Sequence, residues 1–449
     1  MAEQQVITIA QIRAYEILDS RGTPTIEVKI FLSNQAMVVT SISTIDESRA
    51  DDLTELRDTE EKRMGGMGVK KAAEIINNTI APKLIGVNPV EQEKIDEILL
   101  SFDKSDNLTK VGSNTLMAVS QACLRAAAMS YGWPLYYYLW RRYQLTSFLS
   151  TPTPVVAMFN GGRFGNDNIN FAEVQIIPYQ GIPFAQALEM SVTIFKNLYL
   201  NLNSKGAGQA TSTLGGFIPV LYKNSDVFDL LVEVIKSSDY VMGRDLFFGV
   251  DCSANHFYNL GRYKIKDSST ALNTAAMIDF LNRMHTTYGV YMFEDPLSTD
   301  DQGAWKKFTF EYGDRVQIVS DHLTNSRQAK ITKAIEGKLC NTFLIKPDQT
   351  RTVSEMIATI KMIREAGLKF TIAQREGETN DDMLADLAVG LGADFCKFGA
   401  PNRGERIAKY NRLLSISEEV TQINAQLQNQ AAQAQQQTQA QQQAQTQQG

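Results

Sequence analysis

Charged residues of the kinds that bind a metal ion or transfer a proton lie at the ends of several short apolar runs. Five later runs end in a carboxylate or a lysine, and an earlier run carries one more carboxylate. These residues are Asp251, Glu294, Asp321, Lys346, Lys397 and Glu173. Carboxylates that converge from separate strands form a hard oxygen site, which suits Mg²⁺ or Mn²⁺ rather than Zn²⁺. A dication beside two lysines favours their neutral form, so that one of them can act as a base. The alternative, solvated ion pairs, explains one such residue more readily than five.

The apolar runs themselves predict the elements that must position these side chains. Each run ends in polar residues and is followed, after a variable gap, by a helical pattern. The runs are Pro154–Asn160, Phe171–Pro178, Phe247–Asp251, Val290–Asp295, Val316–Asp321, Phe343–Lys346, Phe370–Gln374 and Asp394–Lys397. Such runs are typical of parallel strands buried on both faces, and the helices supply the required crossovers. About eight units in roughly 270 residues fit a (β/α)₈ barrel, whose chemistry lies at the C-terminal strand ends. A doubly wound open sheet is the competitor, but no GxGxxG turn follows a first strand.

Two further segments flank this predicted barrel, which we assign to residues 151–420. In residues 1–145, strand patterns come first and helical patterns follow, which predicts a separate α+β domain. The helical patterns are Val69–Ile80, Pro89–Leu99 and Asn114–Tyr131. Residues 423–449 carry no charge, and about half of them are Gln. That composition favours a disordered tail, with a short helical start or a Gln-rich interaction segment as the alternatives.

The overall composition excludes several classes of protein. Lys plus Arg number 44 and Asp plus Glu number 50, a formal charge of −6, which argues against general nucleic-acid binding. No apolar stretch is long enough to span a membrane, and the first residues lack the pattern of a secretory signal. The four cysteines lie far apart, as expected of reduced thiols in a cytoplasmic protein.

Motifs along most of the chain, from about residue 7 to residue 420, resemble the enolase family. The matching stretches are Asp19–Thr25 (DSRGTPT), Glu55–Asp58 (ELRD), Phe159–Gly162 (FNGG), Val250–Cys252 (VDC), Phe293–Asp295 (FED), Leu344–Lys346 (LIK), Gly377–Thr379 (GET) and Ala408–Asn411 (AKYN). The resemblance implies an N-terminal α+β domain that caps a modified barrel, Mg²⁺-dependent dehydration of 2-phosphoglycerate in glycolysis, and a dimer.

Several family roles carry over to residues that are intact in this chain. The three ligands of the structural metal match Asp251, Glu294 and Asp321. Lys346 matches the base that removes the proton next to the carboxylate, and Lys397 matches the lysine that binds that carboxylate. Arg375 matches the arginine that grips the phosphate. Glu173 matches one of the acidic pair beside the leaving hydroxyl.

Other family positions hold residues that cannot perform the implied role. The general acid aligns with Leu214, which has no proton to give, and a positioned acid is worth on the order of 10²–10⁴ in rate. The histidine before the arginine is Gln374, and the serine after it is Glu376. Glu376 puts a carboxylate where the phosphate should lie, and like charges about 4 Å apart repel by roughly 4 kcal/mol at an effective dielectric near 20.

Two polar partners and the lid also depart from the family pattern. A family histidine is replaced by Phe164 and a glutamine by Ala172. The glycine-containing lid that completes a second metal site is replaced around residues 41–47, and neither alignment register restores its glycines. We therefore expect one Mg²⁺ site and regard the second as doubtful.

Three functions remain open at this stage. The chain resembles a catalytically impaired or inactive homologue that forms a homodimer, or a heterodimer with an authentic enolase, because Arg21, Gly22 and Glu27 in the dimer-contact region are ordinary. The alternatives are an active phosphopyruvate hydratase and an enzyme that abstracts a proton from a small, non-phosphorylated carboxylate.

Two histidines follow metal-side strand ends. His256 and His322 are each a candidate for an additional ligand or acid. A supporting or solvated position is the expected role for both.

Overall fold

In the computed structural model of the protein, which describes residues 6–45, 53–60, 62–165, 167 and 169–446, the chain first forms a three-stranded antiparallel sheet. The strands are β1 (Ile9–Leu18), β2 (Pro24–Leu32) and β3 (Met37–Ser41), in that spatial order. The turn after β1 is fixed by Asp19, whose Oδ1 accepts hydrogen bonds from the backbone N–H groups of Arg21 and Thr23 at 2.8 Å. Gly22 takes a left-handed φ of 76°, which glycine adopts without strain. This turn lies against the mouth of the barrel, where the Ser20 N–H donates to the carbonyl of Glu378 at 2.8 Å.

In the described part of the first domain, five α-helices follow the sheet. They are α1 (Lys70–Ile75), α2 (Ala81–Leu84), α3 (Gln92–Ser101), α4 (Ser113–Ser130) and α5 (Leu135–Tyr143). A π-helical turn at Ile76–Ile80 joins α1 to α2, so the predicted helix over 69–80 is present with an irregular middle. Helix α4 is buried over most of its length because the sheet packs against one side, and α3, α5 and the barrel helix over residues 353–365 pack against the others.

The second domain is a nine-stranded sheet wrapped by helices, and all eight predicted apolar runs contribute a strand to it. Its elements are β4 (Thr153–Pro154), β5 (Val156–Asn160), β6 (Glu173–Pro178), α6 (Phe184–Ser204), α7 (Asn224–Lys236), β7 (Leu246–Asp251), β8 (Tyr258–Asn259), β9 (Arg262–Tyr263), α8 (Thr274–Tyr288), β10 (Val290–Glu294), α9 (Gln302–Tyr312), β11 (Gln317–Ser320), α10 (Gln328–Gly337), β12 (Thr342–Ile345), α11 (Val353–Glu365), β13 (Lys369–Ala373), α12 (Met383–Gly390), β14 (Phe395–Lys397) and α13 (Gly404–Thr446). The strand order is β4-β14-β13-β12-β11-β10-β7-β6-β5, and β8 pairs with β9 outside the sheet. The predicted fold class, an α+β domain followed by a (β/α)₈-type barrel, is confirmed.

One strand runs against the others, which corrects the expectation of an all-parallel sheet. Strand β6 pairs antiparallel with both β5 and β7, whereas the described pairs from β7 to β14 and β4 are parallel. Among its described residues, the connection from β5 to β6 contains no helix other than a 3₁₀ turn, Gly162–Phe164. A parallel neighbour requires a crossover, usually a helix, so this short connection folds back and reverses the strand.

Inside the barrel, apolar side chains from seven different strands or strand ends close the floor below the mouth. They are Val155, Ile177, Met292, Val319, Leu344, Ala373 and Phe395. All four cysteines are buried and unpaired with one another, as predicted. Among the described helices, none combines the length and apolar character needed to cross a bilayer.

The last helix continues through the Gln-rich segment. Disorder is the expectation for residues 423–449, but α13 extends to Thr446, and side chains are described through residue 427. Ala and Gln are fair helix formers, so a helix already started by the packed residues Tyr410, Leu413 and Ile416 propagates at little cost.

Candidate active site

One pocket at the barrel mouth collects the nine residues predicted to bind metal or substrate or to act in catalysis. They are Glu173, Asp251, Glu294, Asp321, Lys346, Gln374, Arg375, Glu376 and Lys397. Phe164, Leu214 and His322 line the same pocket, whereas His256 and Ala172 are not among its lining residues. The structure thus brings the predicted site residues together, while the role of each remains a prediction.

Strand ends bring the carboxylates to this place. Asp251 ends β7 and Glu294 ends β10, and the two are paired across the parallel ladder. Glu173 is the first residue of its strand, not the last, yet it pairs directly with Asp251 because β6 runs in the opposite direction. Asp321 and Lys346 each follow their strand by one residue.

Lys397 lies at the centre of the carboxylates. Its Nζ donates to Glu294 at 2.8 Å and to Asp251 at 3.0 Å, and lies 3.6 Å from Glu173. Burial favours the neutral amine, but the three carboxylates outweigh it and raise the pKa of Lys397 well above its usual range. Burial and then Asp251 raise the pKa of Glu294. In this arrangement Lys397 is an ammonium, unlike the neutral lysine expected beside a dication. Its single positive charge does not balance the three carboxylates around it.

Lys346 is paired with Asp321, with 2.7 Å between its Nζ and Oδ2. Burial would raise the pKa of Asp321, but the Lys346 ammonium outweighs burial and holds that pKa below its usual range. The second carboxylate oxygen, Oδ1, is buried and has no hydrogen-bond partner among the described residues. This orphaned oxygen and the surplus of buried carboxylates fit a divalent cation with hard oxygen ligands.

A second group near the same oxygen also has the composition of a metal site. Ligand atoms of Asp295, Asp321 and His322 all lie within 4.8 Å of one another. Sequence reasoning missed Asp295, although it directly follows Glu294 in a strand-end motif. Asp295 takes a left-handed φ of 42°, which turns its side chain away from the direction of the strand.

The side of the pocket where the resemblance implies an acid is apolar. The side chain of Leu214 is 6 % exposed, and the Leu214 N–H donates to Ser212 Oγ at 2.9 Å. Ser212 Oγ in turn donates to Asn160 Oδ1 at 2.6 Å, so the loop is held in place. Glu173 accepts a hydrogen bond from the amide of Gln175 at 3.0 Å. A rigid loop therefore presents a hydrocarbon side chain.

At the end of the pocket where the resemblance implies a phosphate, two ion pairs are already formed. Arg375 Nε lies 3.1 Å from Asp348 Oδ2, and burial raises the pKa of Asp348 although Arg375 opposes the shift. Glu376 accepts from Arg21 at 3.2 Å. Sequence reasoning missed Asp348, which stands two residues after Lys346 and offered no signal of a contact with Arg375.

Gln374 is a buried amide without a partner. It is 8 % exposed, and neither Oε1 nor Nε2 makes a hydrogen bond to any described residue. A buried amide left unsatisfied costs roughly 1–3 kcal/mol. A ligand in the pocket that offers both a donor and an acceptor would remove that cost.

The first domain contacts the barrel mouth through the lid, the segment around residues 41–47. Thr44 Oγ1 donates to Asp19 Oδ2 at 2.6 Å, and the Thr44 N–H donates to the carbonyl of Gly377 at 3.0 Å. A Cβ at Gly377 would meet both of those side-chain oxygens at 2.1 Å, so the contact requires glycine. The lid residues Asp46 and Glu47 lie outside the described residues.

Two family models match the chain, one for each domain. Residues 9–139 match the family described as "Enolase, N-terminal domain", and residues 148–436 match "Enolase, C-terminal TIM barrel domain". A protein named "Enolase" from Ehrlichia canis (strain Jake) is 36% identical over 414 residues, which are 92% of this chain and 97% of the relative. Proteins of the same name from Ehrlichia chaffeensis and Ehrlichia ruminantium are 35% and 36% identical over 412 residues, again 92% of this chain and 96% of each relative.

Proposed function

The chain belongs to the enolase family, and we propose that it keeps the part of that chemistry that abstracts a proton and has lost the part that expels a hydroxyl. Dehydration of 2-phosphoglycerate needs both parts, because hydroxide is a poor leaving group. A base must take the proton next to the carboxylate, and an acid must assist departure of the hydroxyl. On this proposal the chain is an impaired member of its family.

The observation that carries the proposal is Leu214. It lines the pocket on a loop that hydrogen bonds hold in place, so no small movement replaces it with an acid. Glu173 is the remaining carboxyl on that side. Its polar neighbours are the amide of Gln175 at 3.0 Å and the ammonium of Lys397 at 3.6 Å, and neither is a second acid.

The proton-abstracting half is assigned to groups that are all present. Lys346 is the base, and Lys397 holds the substrate carboxylate. The residues that would hold Mg²⁺ are Asp251, Glu294 and Asp321. When bound, the ion would stabilise the negative charge that develops on the substrate carboxylate, as is general in this superfamily.

We expect the unmodified protein to exchange the proton next to the carboxylate of 2-phosphoglycerate without forming phosphoenolpyruvate at a comparable rate. The measurement is NMR in D₂O at high substrate and Mg²⁺ concentration, which follows deuterium incorporation and product in one sample. A Lys346→Ala variant is the control and should lose exchange. Product formation as fast as exchange, or no exchange by the unmodified protein, would contradict the proposal.

A second candidate function is proton abstraction from a carboxylate that lacks a phosphate. The observations in its favour are the Arg375–Asp348 ion pair, which occupies the phosphate-gripping arginine, and the unsatisfied amide of Gln374. A hydroxyl or amide on the substrate would satisfy Gln374, whereas a dianionic phosphate would face the carboxylates of Asp348 and Glu376.

This candidate makes a prediction about anion binding. An Asp348→Asn variant should bind inorganic phosphate at least about tenfold more tightly. A tenfold change in affinity corresponds to about 1.4 kcal/mol, and removal of the charge that competes with phosphate for Arg375 should contribute more than that. Calorimetric titration measures it. The matched control is Asp245→Asn, which breaks the exposed Arg244–Asp245 pair of 2.8 Å and should change nothing. Equal phosphate affinity for both variants would remove the support for this candidate.

A further inference from the structure

His322 lies between two buried carboxylates, and one of its ring nitrogens faces each of them. Its Nδ1 is 2.6 Å from Asp295 Oδ2, and its Nε2 is 4.0 Å from Asp321 Oδ2. The side chain is 18% exposed and lines the pocket. His256, its nearest aromatic neighbour, is exposed, with 6.5 Å between the ring centroids.

Asp295 is held so that it can orient this ring. Its Oδ1 accepts from the Asp321 N–H at 3.1 Å, and its Oδ2 accepts from the His322 N–H at 2.9 Å. The residue is only 3% exposed. This fixed carboxylate lies 2.6 Å from Nδ1, which makes no hydrogen bond to a described residue, and the close approach leaves Nε2 as the ring nitrogen that faces Asp321.

Asp321 offers the matching oxygen. It is 4% exposed, and its Oδ1 has no hydrogen-bond partner among the residues that the structure describes. Its other oxygen, Oδ2, accepts from Lys346 and lies 4.0 Å from His322 Nε2, close to the largest separation of two atoms that each bind one ion at about 2.1 Å. A carboxylate beside the second ring nitrogen, as Asp295 is here, is common where a histidine binds a metal.

We infer that His322 Nε2 is a ligand of a divalent cation bound at Asp321, with Asp295 as the residue that positions the imidazole. The site then combines nitrogen and oxygen donors. Such sites favour Mn²⁺, Co²⁺ or Zn²⁺ over Mg²⁺, which prefers oxygen ligands only. The inference concerns which metal the chain selects. It does not depend on whether the protein forms phosphoenolpyruvate.

The test is calorimetric titration of Co²⁺ and of Mg²⁺ into the full-length unmodified protein and three variants. In His322→Asn, Co²⁺ affinity should fall at least about tenfold, while Mg²⁺ affinity stays within about threefold. Asp295→Asn should weaken Co²⁺ binding by about 10–100-fold, the cost of losing an orienting carboxylate. His256→Asn is the matched control and should leave both affinities unchanged.

Pulsed EPR of the Mn²⁺-loaded protein gives a second readout that does not depend on affinity. The unmodified protein should show coupling to an imidazole ¹⁴N nucleus, and His322→Asn should lose it. Circular dichroism confirms that each variant is folded. Unchanged Co²⁺ affinity in His322→Asn, an equal loss in His256→Asn, or the absence of ¹⁴N coupling in the unmodified protein would overturn the inference. In each of those cases the imidazole only lies against Asp295.

Discussion

A variant that carries Leu214→Glu, Gln374→His and Glu376→Ser is expected to form phosphoenolpyruvate at least about 100-fold faster than the unmodified chain, the lower end of what one general acid supplies. Leu214 lines the same pocket as Glu173, so a glutamate there restores an acidic pair. Glu376→Ser removes a carboxylate from the end of the pocket that the phosphate would enter. Gln374→His restores a titratable group. A coupled assay that follows phosphoenolpyruvate measures the gain.

The matched control replaces Leu214 with glutamine in the same background. Glutamine has the size and polarity of glutamate but no proton to donate, so the gain that comes from the acid should disappear. If the glutamate and glutamine variants are equally active, the missing acid is not what limits the chain.

Lys397→Met should destabilise the protein by about 3–5 kcal/mol in EDTA, the usual cost of leaving buried charges without their partner. The ammonium contacts Glu294, Asp251 and Glu173 within 3.6 Å and is buried among them. Without it, three carboxylates face one another in a water-poor site. Denaturant unfolding measures the loss, and Mg²⁺ should restore part of it.

The direction of the pH dependence follows from the same charges. Burial and Asp251 raise the pKa of Glu294 even with Lys397 present, so ionisation of Glu294 opposes folding more strongly once the ammonium is gone. The loss should therefore be larger in alkaline buffer and shrink as the pH falls and the carboxyls take up protons. Lys205→Met, which removes an exposed partner of Glu233, is the control and should cost less than about 1 kcal/mol. Equal losses in the two variants would mean that Lys397 does not balance buried charge.

The strands of the barrel were predictable because buried strands leave a strong pattern in the sequence. The run that ends in Asp251, for instance, is apolar throughout and is a strand with both faces covered. Strand direction was not predictable in the same way. A strand that is apolar on both faces carries no alternation, and nothing in residues 171–178 indicates that β6 is reversed. The prediction still placed Glu173 at the mouth, but as part of a parallel strand, whereas Glu173 lies there because β6 is antiparallel.

The composition of the site was predictable, and its pairings were not. Residue type and position at strand ends predicted six of the side chains that line the pocket, and the family resemblance added Gln374, Arg375 and Glu376. The pairing of Arg375 with Asp348 and of Glu376 with Arg21 depends on where side chains from different strands and domains meet. The contact of His322 with Asp295 similarly depends on a left-handed residue after β10, which the sequence pattern does not encode.

The central claim is that this chain has the family fold and base but cannot expel the hydroxyl. The most direct test is the steady-state rate of phosphoenolpyruvate formation by the unmodified, full-length protein at saturating 2-phosphoglycerate and Mg²⁺. The loss of a general acid alone lowers an ordinary rate of about 10 s⁻¹ by a factor on the order of 10² or more. We therefore predict a rate below about 0.1 s⁻¹. A rate of roughly 10 s⁻¹ or more would contradict the account.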